Sequence, residues 1–144
     1  MTITPLSDAK GFVKRNLPMF FASELRMAEQ LASKIVFDAM THGSEDVLTL
    51  RKERVWAVAS SHDWLTSTGH EIEELFSRIV PTPEVAANSN RSEVLVGALA
   101  SSFLTADAAG HEFFRGDRSQ LAPMLDDLRS RGRFGRVLLF IFEA

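Results

Sequence analysis

Cysteine is absent from the 144 residues, which excludes disulfide frameworks, thiolate nucleophiles and cysteine-ligated metals. Tyrosine is absent too, and lysine occurs only four times, always before residue 53, against 12 arginines. That usage, with abundant alanine, fits the codon bias of a GC-rich bacterial genome. No stretch approaches the roughly 18 uncharged apolar residues of a membrane span. The opening MTITPLSDAKGFVKRNL lacks both the apolar core of a signal peptide and the acid-poor bias of a transit peptide. No Gly/Ser linker, low-complexity tract or block of like charges divides the chain. GxGxxG, Walker A, HExxH, GxSxG and zinc-ligand spacings are all missing, so no cofactor is expected. These absences lead to the expectation of one cytoplasmic domain outside any membrane.

What is present is ordinary globular composition: 45% hydrophobic, 24% charged, net charge −3. An acidic balance argues against a nucleic-acid or membrane-surface binder. Residues 6–15 predict a short helix capped by Ser7, and Pro18 suits the first turn of a second. In the run from Pro18 to His42, Phe21, Leu25, Ala28, Ala32, Ile35 and Ala39 recur at spacings of 4, 3, 4, 3 and 4, one stripe of helical period. Phe20, Met27, Leu31, Val36 and Met40 widen it, so the long helix expected over 18–42 must be covered on more than one side.

Residues 47–60 alternate around a polar RKER centre and predict a hairpin. Thr68–Glu71 and Asn90–Glu93 match capping boxes, each followed by apolar residues at helical spacing. Gly97 inside the second helix marks a close packing contact. Residues 103–106 and 111–115 predict another hairpin, 119–131 a helix with Pro123 near its start and Gly132 as its stop, and RVLLFIFE a strand buried on both faces. The order α-β-β-α-α-β-β-α-β therefore predicts an α+β fold, a mostly antiparallel sheet of about five strands with 136–142 interior. The two β-β-α stretches share Leu-Thr and a helix ending in Ser-Arg, either by chance or by duplication.

Candidate chemistry is sparse. His62, His70 and His111 each precede an acid, and together they are the set a metal-dependent enzyme would use. Neighbouring residues in sequence diverge in direction, however, so no dipeptide is itself a site. Ser60-Ser61-His62-Asp63 holds the residue types of a serine triad without the separated segments a triad needs. Arg131, Arg133 and Arg136, in RSRGRFGR, offer a phosphate- or RNA-binding patch, and Asn90 with Arg91 opens a helix where an anion can sit. The acidic stretch 63–84 carries a net −4 and is suited to pair with that arginine segment across a subunit contact.

Met19, Phe20, Met27 and Met40 lie partly off the main stripe, and methionine and phenylalanine are enriched at interface cores. They predict a homodimer with a twofold axis, the alternative being that the 6–15 segment folds back and covers this face within one chain. In size, acidity and lack of cysteine the chain is similar to bacterial immunity proteins and small accessory factors, a likeness of profile that no motif carries. The resulting expectation is a non-enzymatic interaction protein, with a metal or small-ligand enzyme and an RNA-binding module as the alternatives.

Overall fold

Two hairpins and a central apolar strand build one sheet. The computed structural model describes residues 8–82 and 90–142. The strands are β1 (Val47–Lys52), β2 (Val55–Ser60), β3 (Ser102–Asp107), β4 (Glu112–Arg115) and β5 (Arg136–Ile141). They lie in the order β1-β2-β5-β3-β4, every pair antiparallel. The C-terminal strand is thus the centre, and all six of its residues are buried, as a continuous apolar run requires. Glu53 takes a positive φ of 57° in the two-residue turn joining β1 to β2, the conformation short hairpins demand.

Alternation along the strands gives the sheet two apolar faces. Trp56, Val58, Phe103, Leu138 and Phe140 point to one side, and Ala57, Ala59, Leu104, Leu139 and Ile141 to the other. Five helices serve the first side or its margin: α1 (Ala9–Arg15), α2 (Leu17–Phe20), α3 (Met27–Thr41), α4 (Ile72–Ser77) and α5 (Glu93–Leu99). On the second side α6 (Ala122–Arg131) brings Met124, Leu125 and Leu128. Each large side chain so buried contributes about 1.5–3 kcal/mol. Phe76 of α4 stacks on Phe103 at 4.7 Å between ring centres. At Gly97 of α5 a Cβ would run into the Phe76 carbonyl oxygen, which is the close contact the sequence anticipates.

Several local expectations are corrected. Asp8 caps α1, its carboxylate accepting from Gly11 N–H; the expected cap Ser7 lies outside the described residues. The single helix over 18–42 is broken. It ends at Phe20, and α3 restarts at Met27 after Arg26 turns left-handed at φ 56°. Gln30 holds the break in place: its side-chain oxygen accepts from Ala22 N–H, and its amide donates to Ser23 and Leu25 carbonyls. Backbone groups that a continuous helix would satisfy are met by one side chain. Consequently Leu25 leaves the inward stripe and stands 78% exposed.

Neither expected capping box forms. Glu71 and Ser92 occupy the cap positions of α4 and α5, and neither makes a side-chain cap bond. Nor are the β-β-α stretches equivalent. The first strand of one hairpin, β1, is a sheet edge, whereas its counterpart β3 borders the centre, and α4 and α6 cover opposite faces.

Candidate functional site

A concavity of about 900 Å³ lies between α2, α3 and the chain entering α5. Met19, Phe20, Phe37 and Leu95 supply its apolar walls, Lys34 stands at its edge, and Asp38 and Arg91 reach its floor. Two groups of residues singled out in the sequence for different reasons, Met19 with Phe20 and Asn90 with Arg91, therefore share one cleft.

Its floor is a buried charge cluster. The side chains of Arg91, Glu93 and Asp38 are 1%, 0% and 8% exposed. Arg91 grips Glu93 Oε1 through Nε and Nη2, donates to the Trp64 carbonyl and the Thr68 hydroxyl, and stands 4.0 Å from Asp38. Asp38 Oδ2 accepts from Ser92 N–H at 2.6 Å. Two carboxyls thus face one guanidinium. Burial first, and then the nearby Glu93 carboxylate, push the Asp38 acid up to about 9, so it is protonated at neutral pH. The neighbouring Glu93 side chain favours keeping that proton on Asp38. Glu93 Oε2 is itself buried and has no hydrogen-bond partner among the described residues.

Arg91 is accordingly no anion receptor, because its donors are turned inward and engaged. Asn90 is exposed and bridges Pro81 through the backbone. The arginine patch is largely dispersed. Arg136 is buried and forks onto Asp63 with two bonds of 2.8 Å while also donating to Thr105. Burial pushes the Asp63 carboxyl up, but the Arg136 fork and the Thr66 hydroxyl outweigh it and hold it below the usual range. Arg131 pairs with Asp127, and Arg129 approaches Glu112. Arg133 alone of the four is exposed with no ion pair among the described residues. Asp63 and Glu73 of the acidic stretch meet Arg136 and Arg115 of the same chain, Asp63 part-buried and Glu73 at the surface.

The serine, histidine and aspartate types do not form a relay. Ser60 donates to Ser44, Ser61 to Asp46, and His62 Nε2 contacts the His42 carbonyl, while Asp63 serves Arg136. His70 faces Glu74 at 4.0 Å and His111 bonds Asp107 at 2.9 Å. Among the described residues no three His, Asp or Glu are grouped to hold a metal ion.

Of the four expected interface residues, Met19 and Met40 are 67% and 60% exposed. Met27 is corrected to the core, and Phe20 is half-buried with its ring edge-on to Phe12 at 6.3 Å. Leu25 and Phe37, at 78% and 59% exposed, take their place. Five large apolar side chains are exposed among the described residues, and four of them fall between positions 19 and 40. Phe37 was legible as an outward residue, since it lies two positions from both Ile35 and Ala39, about 160° around the helix from each and well away from the buried stripe.

Comparison with known proteins returns no match: no family model, no curated protein and no solved structure is similar to this chain. Among the described residues no helix is long and apolar enough to cross a membrane.

Proposed function

We propose that this chain is a non-enzymatic interaction domain of the bacterial cytoplasm that works as a homodimer, with the outward side of α2 and α3 as its contact face. The observation that carries this reading is that Met19, Leu25, Phe37 and Met40 are each more than half exposed within the 19–40 stretch, with Met19 and Phe37 walling one cleft and Met40 one helical turn beyond Phe37. Scattered apolar residues on a surface need no explanation, but a group of them marks a contact. His62, Arg131 and Arg136, drawn from the constellations that suggested catalysis or RNA binding, are engaged in bonds within the fold, which supports it indirectly. The bacterial and cytoplasmic assignments rest on the arginine bias and the absence of cysteine.

Light scattering at micromolar concentration tests the reading. The expected mass is twice the 16.0 kDa of one chain, falling to the single-chain value in Phe37→Glu while the circular dichroism spectrum is retained. A wild-type mass of 16.0 kDa overturns it.

A further inference from the structure

Resting on the interaction-domain reading, we infer that α3 packs against α3 of a second copy in parallel, with Ser33, Phe37 and Met40 forming the seam and Glu29 paired with the partner's Lys34. The inward side of α3, through Met27, Leu31, Ala32, Ile35 and Ala39, is buried in its own domain. On the outward side Gln30, Ser33, Phe37 and Met40 follow at spacings of 3, 4 and 3, the pattern of the a and d positions of a heptad. Gln30 is held back by its bonds to the 22–25 segment, so the seam proper begins at Ser33. Serine there lets two helices approach closely, and the next turns present Phe37 and Met40, 59% and 60% exposed.

Charge selects the orientation. With those a and d positions, Glu29 falls at g and Lys34 at e, on opposite flanks of the seam. In a parallel pair a g residue faces the e residue five positions later in the partner. Glu29 then meets the partner's Lys34, and the twofold axis makes the contact twice. In an antiparallel pair each flank faces its own equivalent, so g lies along g and e along e, and neither charge meets its opposite. Neither residue has an ion-pair partner within its own chain among the described residues. A helix of 15 residues is marginal as an isolated coiled coil. Here it is already held by its domain, so its folding entropy is not charged against association.

The absence of cysteine makes a decisive test simple. Positions 33 and 40 are seven residues apart, about 10.5 Å along the helix, and a disulfide needs Cα atoms within about 7 Å. Ser33→Cys and Met40→Cys, each as a single variant under mild oxidation, should both give covalent dimers on a non-reducing gel. Phe114→Cys, exposed on β4 away from the seam, should remain monomeric. An antiparallel pair links at most one of the two seam positions, so failure of either overturns the proposal.

Glu29→Lys and Lys34→Glu should each weaken self-association about tenfold, and mixing the two should restore it as a heterodimer. A mixture that stays dissociated also overturns it. The two readings fail separately. Wild type that dimerises and is disrupted by Phe37→Glu, without both cross-links, retains the interaction face and removes the parallel seam. A monomeric wild type removes both.

Discussion

Asp38→Asn should leave stability at pH 5.5 nearly unchanged and flatten the pH dependence of folding above it. Asp38 lies in the folded chain with its acid raised to about 9 by burial and by Glu93, whereas in the unfolded chain it titrates near 3.9. Between those values the folded protein holds a proton that the unfolded chain has released. Stability contributed by this group is therefore complete below about pH 4 and declines as pH rises towards 9, with a limiting slope of about 1.4 kcal/mol per pH unit. The cluster shares its charge among Arg91 and Glu93, and Lys34 and His42 face the same cleft, so a working figure is on the order of 1 kcal/mol per unit.

Asp46, Asp63, Asp107, Glu112 and Asp117 are all held below the usual carboxylate range. Their contribution has the opposite sign and a different window. It is present at neutral pH and lost only as pH falls below about 4. Asparagine keeps the neutral form of the side chain and its bond to the backbone, the oxygen accepting from Ser92 N–H. Urea denaturation at pH 5.5, 7 and 8.5, at one ionic strength and one protein concentration, should show the wild type losing roughly 3 kcal/mol across the series. Asp38→Asn should show less than a third of that loss. Equal slopes in the two proteins would refute a protonated Asp38 in the folded cluster.

Two further predictions test the packing around the site. Gly97→Ala gains about 1 kcal/mol of helix propensity, yet it should destabilise by about 2 kcal/mol or more, because its Cβ meets the Phe76 backbone oxygen and α4 must move away from α5; a rise in Tm would count against that contact. Arg136→Met should cost about 2–4 kcal/mol by leaving Asp63 and Thr105 without their donor, and it should blunt the loss of stability below pH 4, which acid titration of the two proteins side by side would reveal.

What could be read from the sequence followed the strength of periodicity. The two hairpins alternate cleanly, and the unbroken RVLLFI run could only belong to a strand covered on both sides. The 18–42 stretch looked continuous because spacing counts apolar residues and says nothing of where backbone bonds go. Gln30 reaches back seven residues to Ser23, a tertiary contact with no local signature. The Asn90–Glu93 box failed for a related reason. Its glutamate is drawn into the core by Arg91 and does not turn back to cap the helix. Other signals were available. Asp38 lies one helical turn from Ile35, within the apolar stripe, and an acid there implies a buried partner. Period 2 along β5 likewise places Arg136 on the side of Leu138 and Phe140, so it needs a counter-charge. That the counter-charge is Asp63, 73 positions away, no pattern in the sequence could specify.

Asp38 also explains why Phe37 is outside. Rotating α3 by one position, about 100°, exchanges their environments. On hydrophobicity alone that exchange is favourable, since burying a phenylalanine contributes about 1.5–3 kcal/mol and releases a costly acid to water. The observed rotation survives because Asp38 accepts from Ser92 N–H and stands beside Arg91, and losing that acceptor would leave the backbone donor unpaired at about 1–3 kcal/mol. The cluster thus acts on the rotational setting of the helix more than on net stability, the role for which buried polar groups are best attested. Ile35 and Ala39 stay inward, while Phe37 and Met40 are held at 59% and 60% exposure. The polar floor of the cleft and the apolar seam along its rim are two consequences of one helix setting, which is why a change at Asp38 is expected to reach the contact face.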